Sequence, residues 1–353
     1  MGQRLANLCL KLERQSLDGL IVSSPANITY LTEIPSRDSL LLVSQKENFY
    51  FTDSRYIEEV KESLRGCATV KEINGSIFKL IADTCKSKVF KKIAFEERNL
   101  SYGEYKSIRK ELKNYIKLIP THGLIEELRQ IKEPQEVKKI KKAIQITGQA
   151  LEFIAKLIAP GKTELELVAE LERFIRYKGA TNSAFDIIVA AGANSSLPHH
   201  ISSQRKIKPD EPVLVDMGIE FMGYKSDLTR VFFSDKINGL FRKIYATVLE
   251  AQAKAIKLIR PAVKIGEIDA ASRKHIAAGG FGKFFGHSLG HGVGIEIHEE
   301  PRICAKEKEI LLPGMVFTVE PGIYLPGKFG VRIEDMVLVT DEACEVLSGA
   351  IHK

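Results

Sequence analysis

Gly286-His287-Ser288-Leu289-Gly290-His291-Gly292-Val293-Gly294-Ile295-Glu296-Ile297-His298-Glu299-Glu300-Pro301 sets three of the chain's eight histidines among four glycines. The histidines lie four and seven residues apart. Glycine lets a backbone bend sharply or approach a ligand closely, so side chains on such a stretch can converge on one small object. A single histidine beside a Gly-rich turn is most often a satisfied core residue. Three together, flanked on both sides by paired acidic residues, point to the rim of a metal site.

The upstream pair lies in Val213-Leu214-Val215-Asp216-Met217-Gly218 and Lys225-Ser226-Asp227-Leu228-Thr229-Arg230. A tight turn centred on Phe221-Met222 sets Asp216 opposite Asp227, ~5 Å apart on one face of a hairpin. Like charges directly opposite destabilise a sheet, and burying them unpaired costs several kcal/mol each. A cation between them removes both objections. The apolar Val213–Val215 run argues for burial, and against one aspartate being a turn residue and the other a surface charge.

The downstream pair repeats the logic. Phe317-Thr318-Val319-Glu320 and Gly330-Val331-Arg332-Ile333-Glu334 read as strands that place Glu320 opposite Glu334. Arg332, two residues before Glu334, shares its face. Two hairpins with carboxylate pairs, separated by the histidine stretch, read as related halves contributing to one centre.

Four carboxylates and one imidazole suit divalent cations of hard or borderline character, such as manganese, cobalt, zinc or iron. The charge balances two dications, and paired metals clamp a hydrolytic water and polarise a carbonyl. Phosphoester hydrolysis is the runner-up chemistry. It normally wants more cationic groups, and few Lys or Arg lie within these motifs.

The bulk properties fit. A chain of 353 residues exceeds the usual size of one core, so two domains are expected. Hydrophobic content of 44% and charged content of 27% are ordinary for a globular enzyme. The net charge of +7 is scattered over lysine-rich helices, which reads as solvated surface and not as a nucleic-acid interface. Five dispersed cysteines without a CxxC pair indicate reduced thiols and a cytoplasmic location. Leu5, Leu8 and Leu12 are interleaved with Arg4, Lys11 and Arg14, so the start reads as an amphipathic helix and not as a signal peptide. No apolar run approaches the ~20 residues that span a bilayer.

Residues 1–127 alternate short apolar runs with amphipathic stretches, an α/β pattern. Strands are expected at Gly19–Val22, Leu40–Val43, Phe49–Thr52 and Ile93–Phe95, and helices at Arg55–Leu64, Ser76–Thr84 and Tyr102–Leu112. This domain carries no metal-ligand spacing and reads as a scaffold or a substrate-restricting lid. From residue 128 the texture changes. Pro134 suits the first turn of a long helix ending near Pro160, and Thr163 caps a second helix, Glu164–Tyr177. Strands follow at Phe185–Ala191, Glu211–Glu220 and Tyr224–Ser234, and a loop at Gly192–Pro198 separates the first two. Then come helices at Asn238–Ile259 and Ile265–Ala278 and strands at Met315–Glu320 and Val331–Val339. Residues 128–353 therefore read as α+β with antiparallel pairing.

Asn194-Ser195-Ser196-Leu197-Pro198-His199, Val215-Asp216-Met217-Gly218, Ser226-Asp227-Leu228-Thr229-Arg230, Gly286–Gly294, Val319-Glu320-Pro321-Gly322-Ile323-Tyr324 and Arg332-Ile333-Glu334-Asp335 resemble the M24 metallopeptidases, in particular the prolidase and aminopeptidase P subgroup. Lys132-Glu133-Pro134 and Thr52-Asp53-Ser54-Arg55-Tyr56 extend the resemblance over the whole chain. It implies an N-terminal creatinase/prolidase-like α/β domain, with a role in substrate restriction and dimer contacts, and a C-terminal pita-bread catalytic domain. It also implies two divalent ions, manganese favoured, held by Asp216, Asp227, His291, Glu320 and Glu334. By the same pattern Glu320 doubles as the base for the attacking water, and His199 and His298 flank the substrate. Arg332 steadies the ligand carboxylates. His287 contributes to substrate binding or to structure, and His200 stands where a smaller residue is usual. Arg302, just past the histidine stretch, resembles a clamp for the free carboxylate of a dipeptide; the plainer reading pairs it with Glu299 or Glu300.

The implied substrates are proline-containing di- or oligopeptides, and the implied assembly is a homodimer. Xaa-Pro dipeptidase is slightly favoured over an aminopeptidase P acting on longer peptides, and the N-terminal domain separates both from methionine aminopeptidases. Metal-free relatives such as creatinase or histone-chaperone domains lack several ligands that are present here. An inactive peptide- or protein-binding module has no need of four buried carboxylates.

Overall fold

The computed structural model describes residues 2–113, 115–234 and 236–353. It divides into two compact units, Met1–Arg129 and Gln130–Lys353.

The first unit is built on a six-stranded sheet of β1 (Gly19–Val22), β2 (Leu40–Ser44), β3 (Phe49–Thr52), β4 (Thr69–Glu72), β5 (Lys92–Glu96) and β6 (Lys117–Thr121), in the order β4-β3-β2-β1-β5-β6. The sheet is mixed: β1 pairs parallel with β5 and antiparallel with β2. Leu20, Ile21 and Val22 are fully buried, which accounts for an unbroken apolar run instead of an alternating one. The sequence reading misses β4 and β6. Both are edge strands, only partly buried, and β6 carries Pro120, so neither shows the alternation that marks a half-buried strand. It also misses the helix Pro25–Thr32, which opens on a Ser24 cap with proline in its first turn.

In the second unit the strands pair antiparallel. One sheet orders Leu228–Phe232, Val213–Met217 and Ile188–Ala191; another orders Glu299–Ile303, Gly290–Gly292, Val316–Val319, Asp335–Val339 and Cys344–Val346. Side chains alternate between two cores. Val213, Val215 and Met217 enter one with Ile140 and Leu151 of the Pro134–Ala155 helix. Leu214, Phe317 and Val319 enter the other with Phe241 and Val248 of the Gly239–Leu258 helix. Period-two alternation then puts Asp216 on Leu214's face.

The long helix begins at Pro134, and Glu136 turns back to accept a hydrogen bond from the Glu133 amide. It ends at Ala155, short of the expected Pro160. Helix Glu164–Tyr177 carries a Thr163–Glu166 capping box.

Three strand expectations need correction. The Phe185–Ala191 strand is confined to Ile188–Ala191. The hairpin turn centres on Met222-Gly223, not on Phe221-Met222. Both residues take positive φ (49° and 78°), as a two-residue type I′ turn requires, and glycine at the second position fixes the choice. Glu220 therefore pairs with Lys225, Asp216 with Thr229, and not with Asp227. Thirdly, Tyr224–Ser234 divides at Ser226-Asp227 into Tyr224–Lys225 and Leu228–Phe232, and Glu211–Glu220 and Val331–Val339 break as well. Glu211–Glu220 stops at Gly218, where an added Cβ would lie 1.9 Å from the Ser226 carbonyl oxygen. Val331–Val339 is interrupted at Ile333-Glu334, between strands Phe329–Arg332 and Asp335–Val339.

Because the clash at Gly218 is with backbone, Gly218→Ala should destabilise the protein by about 1–3 kcal/mol. Gly223→Ala meets open space, and the left-handed conformation there is its only strain. Urea unfolding of the two variants beside wild type measures the difference.

Candidate metal centre

The breaks in the strands set the acidic residues in place. Asp227 sits just before Leu228–Phe232, and its side is shared with Asp216 one diagonal step away across the ladder. Glu320 follows Val316–Val319. Val319 pairs with Asp335 and Gly322 pairs with Arg332, so one register runs through both ladders and sets Glu320 opposite Glu334 in the gap. Gln252, fully buried on the Gly239–Leu258 helix, spans that gap. Its amide donates to the carbonyls of Val319 (2.9 Å) and Ile333 (3.0 Å), the residues just before the two glutamates.

The His291 ring enters from Gly290–Gly292. Its Nε2 lies 3.5 Å from Asp227 Oδ2 and 3.3 Å from Glu320 Oε1. Its Nδ1 donates to the Gly292 carbonyl at 3.2 Å, which turns Nε2 toward the acids; burial lowers the imidazole, but the hydrogen bond and charge of Glu320 outweigh it and hold the ring above its ordinary value. Asp227, His291 and Glu334 each offer a ligand atom within 4.8 Å of the others.

Three of the four carboxylates are pinned by a protein donor on another residue. Arg332 Nη2 holds Asp216 Oδ2 at 2.6 Å, Thr229 Oγ1 donates to Glu334 Oε2 at 2.7 Å, and Thr318 Oγ1 donates to Glu320 Oε1 at 3.1 Å. The opposite oxygens of two of them, Asp216 Oδ1 and Glu334 Oε1, are buried with no hydrogen-bond partner among the described residues. A bare buried carboxylate oxygen is costly, and a divalent cation is the partner these atoms lack. The donor set of oxygens and one imidazole nitrogen fits such an ion.

Electrostatics agree. Burial, then the charges of Glu334, Asp216 and Glu320, push the Asp227 carboxyl well above the usual range. Burial and the same neighbouring acids do likewise to Glu334. For Glu320, burial pulls upward, but the hydrogen bond and charge of His291, with His287 and Arg332, outweigh it and hold the carboxyl below its ordinary value.

A directional chain runs beside this cluster. Arg332 Nη1 donates to Tyr324 Oη at 2.7 Å, and Tyr324 donates to His287 Nε2 at 3.0 Å. His287 Nδ1 in turn donates to the Ser288 carbonyl at 2.8 Å. Burial raises the Tyr324 hydroxyl to about 12, so it stays protonated. His287 is lowered, chiefly by burial. The His298 ring stands edge-on to His291 with centroids 4.3 Å apart, and desolvation and that neighbour lower it. His199 is exposed, and its charge opposes protonation of both His287 and His298. His200 is committed elsewhere, its Nε2 donating to Glu164 at 2.9 Å.

Arg302 is paired with neither Glu299 nor Glu300 through its side chain. Glu299 forms a buried ion pair with Lys132 (2.6 Å), and Arg302 Nε donates to Ser288 Oγ at 3.0 Å. The exposed guanidinium belongs to a residue paired directly with His291 in the ladder. Sequence reasoning assigned no role to Tyr324, Thr229, Thr318 or Gln252. Tyr324 and Thr229 stand within quoted motifs, but their partners lie on other strands.

Residues 138–341 match the model of metallopeptidase family M24, and residues 4–131 match the creatinase/prolidase N-terminal domain. The chain is a member of metallopeptidase family M24. The M24 fold is shared with a Xaa-Pro dipeptidase from Bacillus anthracis, at 37% identity and a TM-score of 0.96 over 99% of this chain and 98% of that one. An X-Pro aminopeptidase from Thermotoga maritima superposes with a TM-score of 0.89 at 34% identity, covering 96% and 97% of the two chains. A Xaa-Pro dipeptidase from Pyrococcus furiosus is 34% identical over 350 residues, 99% of this chain and 98% of its own. This M24 chain is therefore a two-domain metallopeptidase that uses divalent metal. No helix among the described residues is long and apolar enough to cross a membrane.

In metal-free protein an ionised Asp227 opposes folding, because its folded pKa lies above its unfolded value of about 3.9. Its contribution is therefore harmless near pH 4 and grows more unfavourable as pH rises. Asp227→Asn should be more stable than wild type at pH 7 in chelator and lose that advantage toward pH 4. Thermal denaturation against pH measures this, and added divalent metal should reverse the order at pH 7.

Proposed function

We propose that this chain is a Xaa-Pro dipeptidase that holds two divalent ions, manganese favoured, on Asp216, Asp227, His291, Glu320 and Glu334. What carries the dipeptidase reading is Arg302: an exposed guanidinium across the ladder from His291, left available because Lys132 takes Glu299. A guanidinium grips a carboxylate with two hydrogen bonds, and in that position it measures the distance from the cleaved bond to the C-terminus.

Divalent ions in the cluster supply positive charge that polarises a peptide carbonyl and acidifies water. The chain's own groups do the rest. Glu320, anionic at neutral pH, takes the proton of the attacking water. His298, kept neutral, and His199 donate to the oxygen on which negative charge develops. Arg332 keeps Asp216 oriented, and Tyr324 keeps His287 in one tautomer.

A second reading, an Xaa-Pro aminopeptidase acting on longer peptides, draws support from the name of the Thermotoga maritima neighbour. The proposal extends to a homodimer and to substrate restriction by the N-terminal domain, both by family resemblance. Five free thiols accord with a cytoplasmic location.

With manganese or cobalt added, Xaa-Pro dipeptides should be cleaved faster than Xaa-Pro tripeptides, and chelation should abolish both activities. Preference for tripeptides would make the aminopeptidase the better name, and full activity in metal-free protein would overturn the metal assignment. Arg302→Ala should erase the dipeptide preference while sparing longer substrates. Glu320→Gln should retain metal and lose about 10²-fold in kcat.

A further inference from the structure

Glu164, a buried carboxylate outside the metal cluster, has no role in the mechanism above. It is the first residue of the Glu164–Tyr177 helix and is fully inaccessible to solvent. Its backbone is anchored beside its own target, since the Glu164 amide donates to the Arg205 carbonyl at 3.2 Å and the Leu165 amide to that of Ser203 at 3.1 Å. The carboxylate then accepts from both ends of one segment. Oε1 takes the Ala191 amide at 2.8 Å and Asn194 Nδ2 at 2.9 Å. Oε2 takes His200 Nε2 at 2.9 Å, the Ser203 amide at 3.0 Å and Ser203 Oγ at 2.8 Å.

Five donors on one carboxylate close the segment 191–203 into a loop with a fixed waist. Burial alone would favour the neutral acid. The hydrogen bonds from Ala191, His200, Asn194 and Ser203 outweigh it and keep the carboxyl below its ordinary value, so the hub stays an anion. His199 projects from this loop, one residue before a histidine whose ring the hub has taken. The loop's other side rests on the strand that bears Arg332. Gly330 donates to Ser195 Oγ at 2.8 Å, and Arg332 Nη1 reaches the Pro198 carbonyl at 3.5 Å.

We infer that Glu164 is a positioning residue for the reaction, fixing His199 at the metal centre through its hold on both ends of the 191–203 loop. The inference rests on the function proposed above, in which His199 acts on the developing charge. A catalytic group misplaced by ~1 Å by a remote change can cost 10²-fold in rate, and a loop cut from its hub on one side allows displacements of that size. Glu164→Gln keeps one acceptor oxygen and turns the other into a donor facing its former donors, with almost no change in volume.

The test is a double-mutant cycle in the manganese-loaded full chain with an Xaa-Pro dipeptide, comparing wild type, Glu164→Gln, His199→Ala and the double variant. Glu164→Gln should lower kcat about tenfold to a hundredfold with KM and bound manganese unchanged. On the His199→Ala background it should change kcat less than about twofold, because residues acting as one unit are not additive. Hydrogen exchange of backbone amides in 192–203 should rise in Glu164→Gln, while that of the Ile265–Ala278 helix stays as in wild type. An equal loss on both backgrounds, or unchanged exchange in 192–203, overturns the inference. Should Glu164→Gln fail to fold, Ser203→Ala and Asn194→Ala, which remove donors from either oxygen, enter the same cycle with the same outcomes. If wild-type enzyme leaves Xaa-Pro bonds intact, the function proposed above fails, and the exchange measurement alone then decides whether Glu164 holds the loop.

Discussion

The constraint on which the second unit turns is the crowding of four carboxylates about one imidazole, inside a fold whose neighbouring strands are almost wholly apolar. Asp227 and Glu334 are forced toward their neutral forms by burial and by the neighbouring acids. Glu320 is held anionic against burial, chiefly by His291. Such an arrangement is unfavourable taken by itself, because removing charge from water in company with like charge gains nothing. The bare oxygens of Asp216 and Glu334 show where the compensation belongs. Stability and chemistry thus share one requirement, a cation in the cluster, and the protein's folding equilibrium and its activity are linked through it.

Around that cluster the polar groups are arranged so that each acid is left one free side. Arg332, Thr229 and Thr318 occupy one oxygen of three different carboxylates, and the Gly292 carbonyl occupies the far nitrogen of His291. Outer partners of this kind fix orientation and basicity, and they are part of the site in energetic terms. The same economy governs the loops. Lys132 neutralises Glu299 next to His298, and Glu164 gathers the loop that bears His199. Glu299 and Glu164, two charges buried outside the centre, therefore sit at the bases of segments that bring histidines to it.

Much of this was legible in the chain. The acidic pairs, the glycine-spaced histidines and the helix start at Pro134 are local patterns, and local patterns survive folding. The register of the Asp216 hairpin was not, because it hinges on which two residues take positive φ, and the step from Phe221-Met222 to Met222-Gly223 moves every cross-strand partner. The downstream pair came out opposite, as expected, since the turn there leaves a register that both ladders share. The edge strands Thr69–Glu72 and Lys117–Thr121 escaped notice because exposed edges carry no burial pattern. Tyr324 and Gln252 escaped for a different reason. A hydroxyl or an amide announces nothing in a sequence until its distant acceptor is known.

Gln252 has a mechanical consequence. One side-chain amide, on one helix, holds the carbonyls that precede Glu320 and Glu334, and it does so where the strands bearing them have stopped pairing. The two glutamates are consequently yoked. If the helix shifts, both are carried the same way, and the distance between them is preserved while the surroundings breathe. A gap in a sheet is ordinarily a soft place; here it is bridged like a split beam with a single pin, so the two halves flex together and the span between the glutamates keeps its gauge.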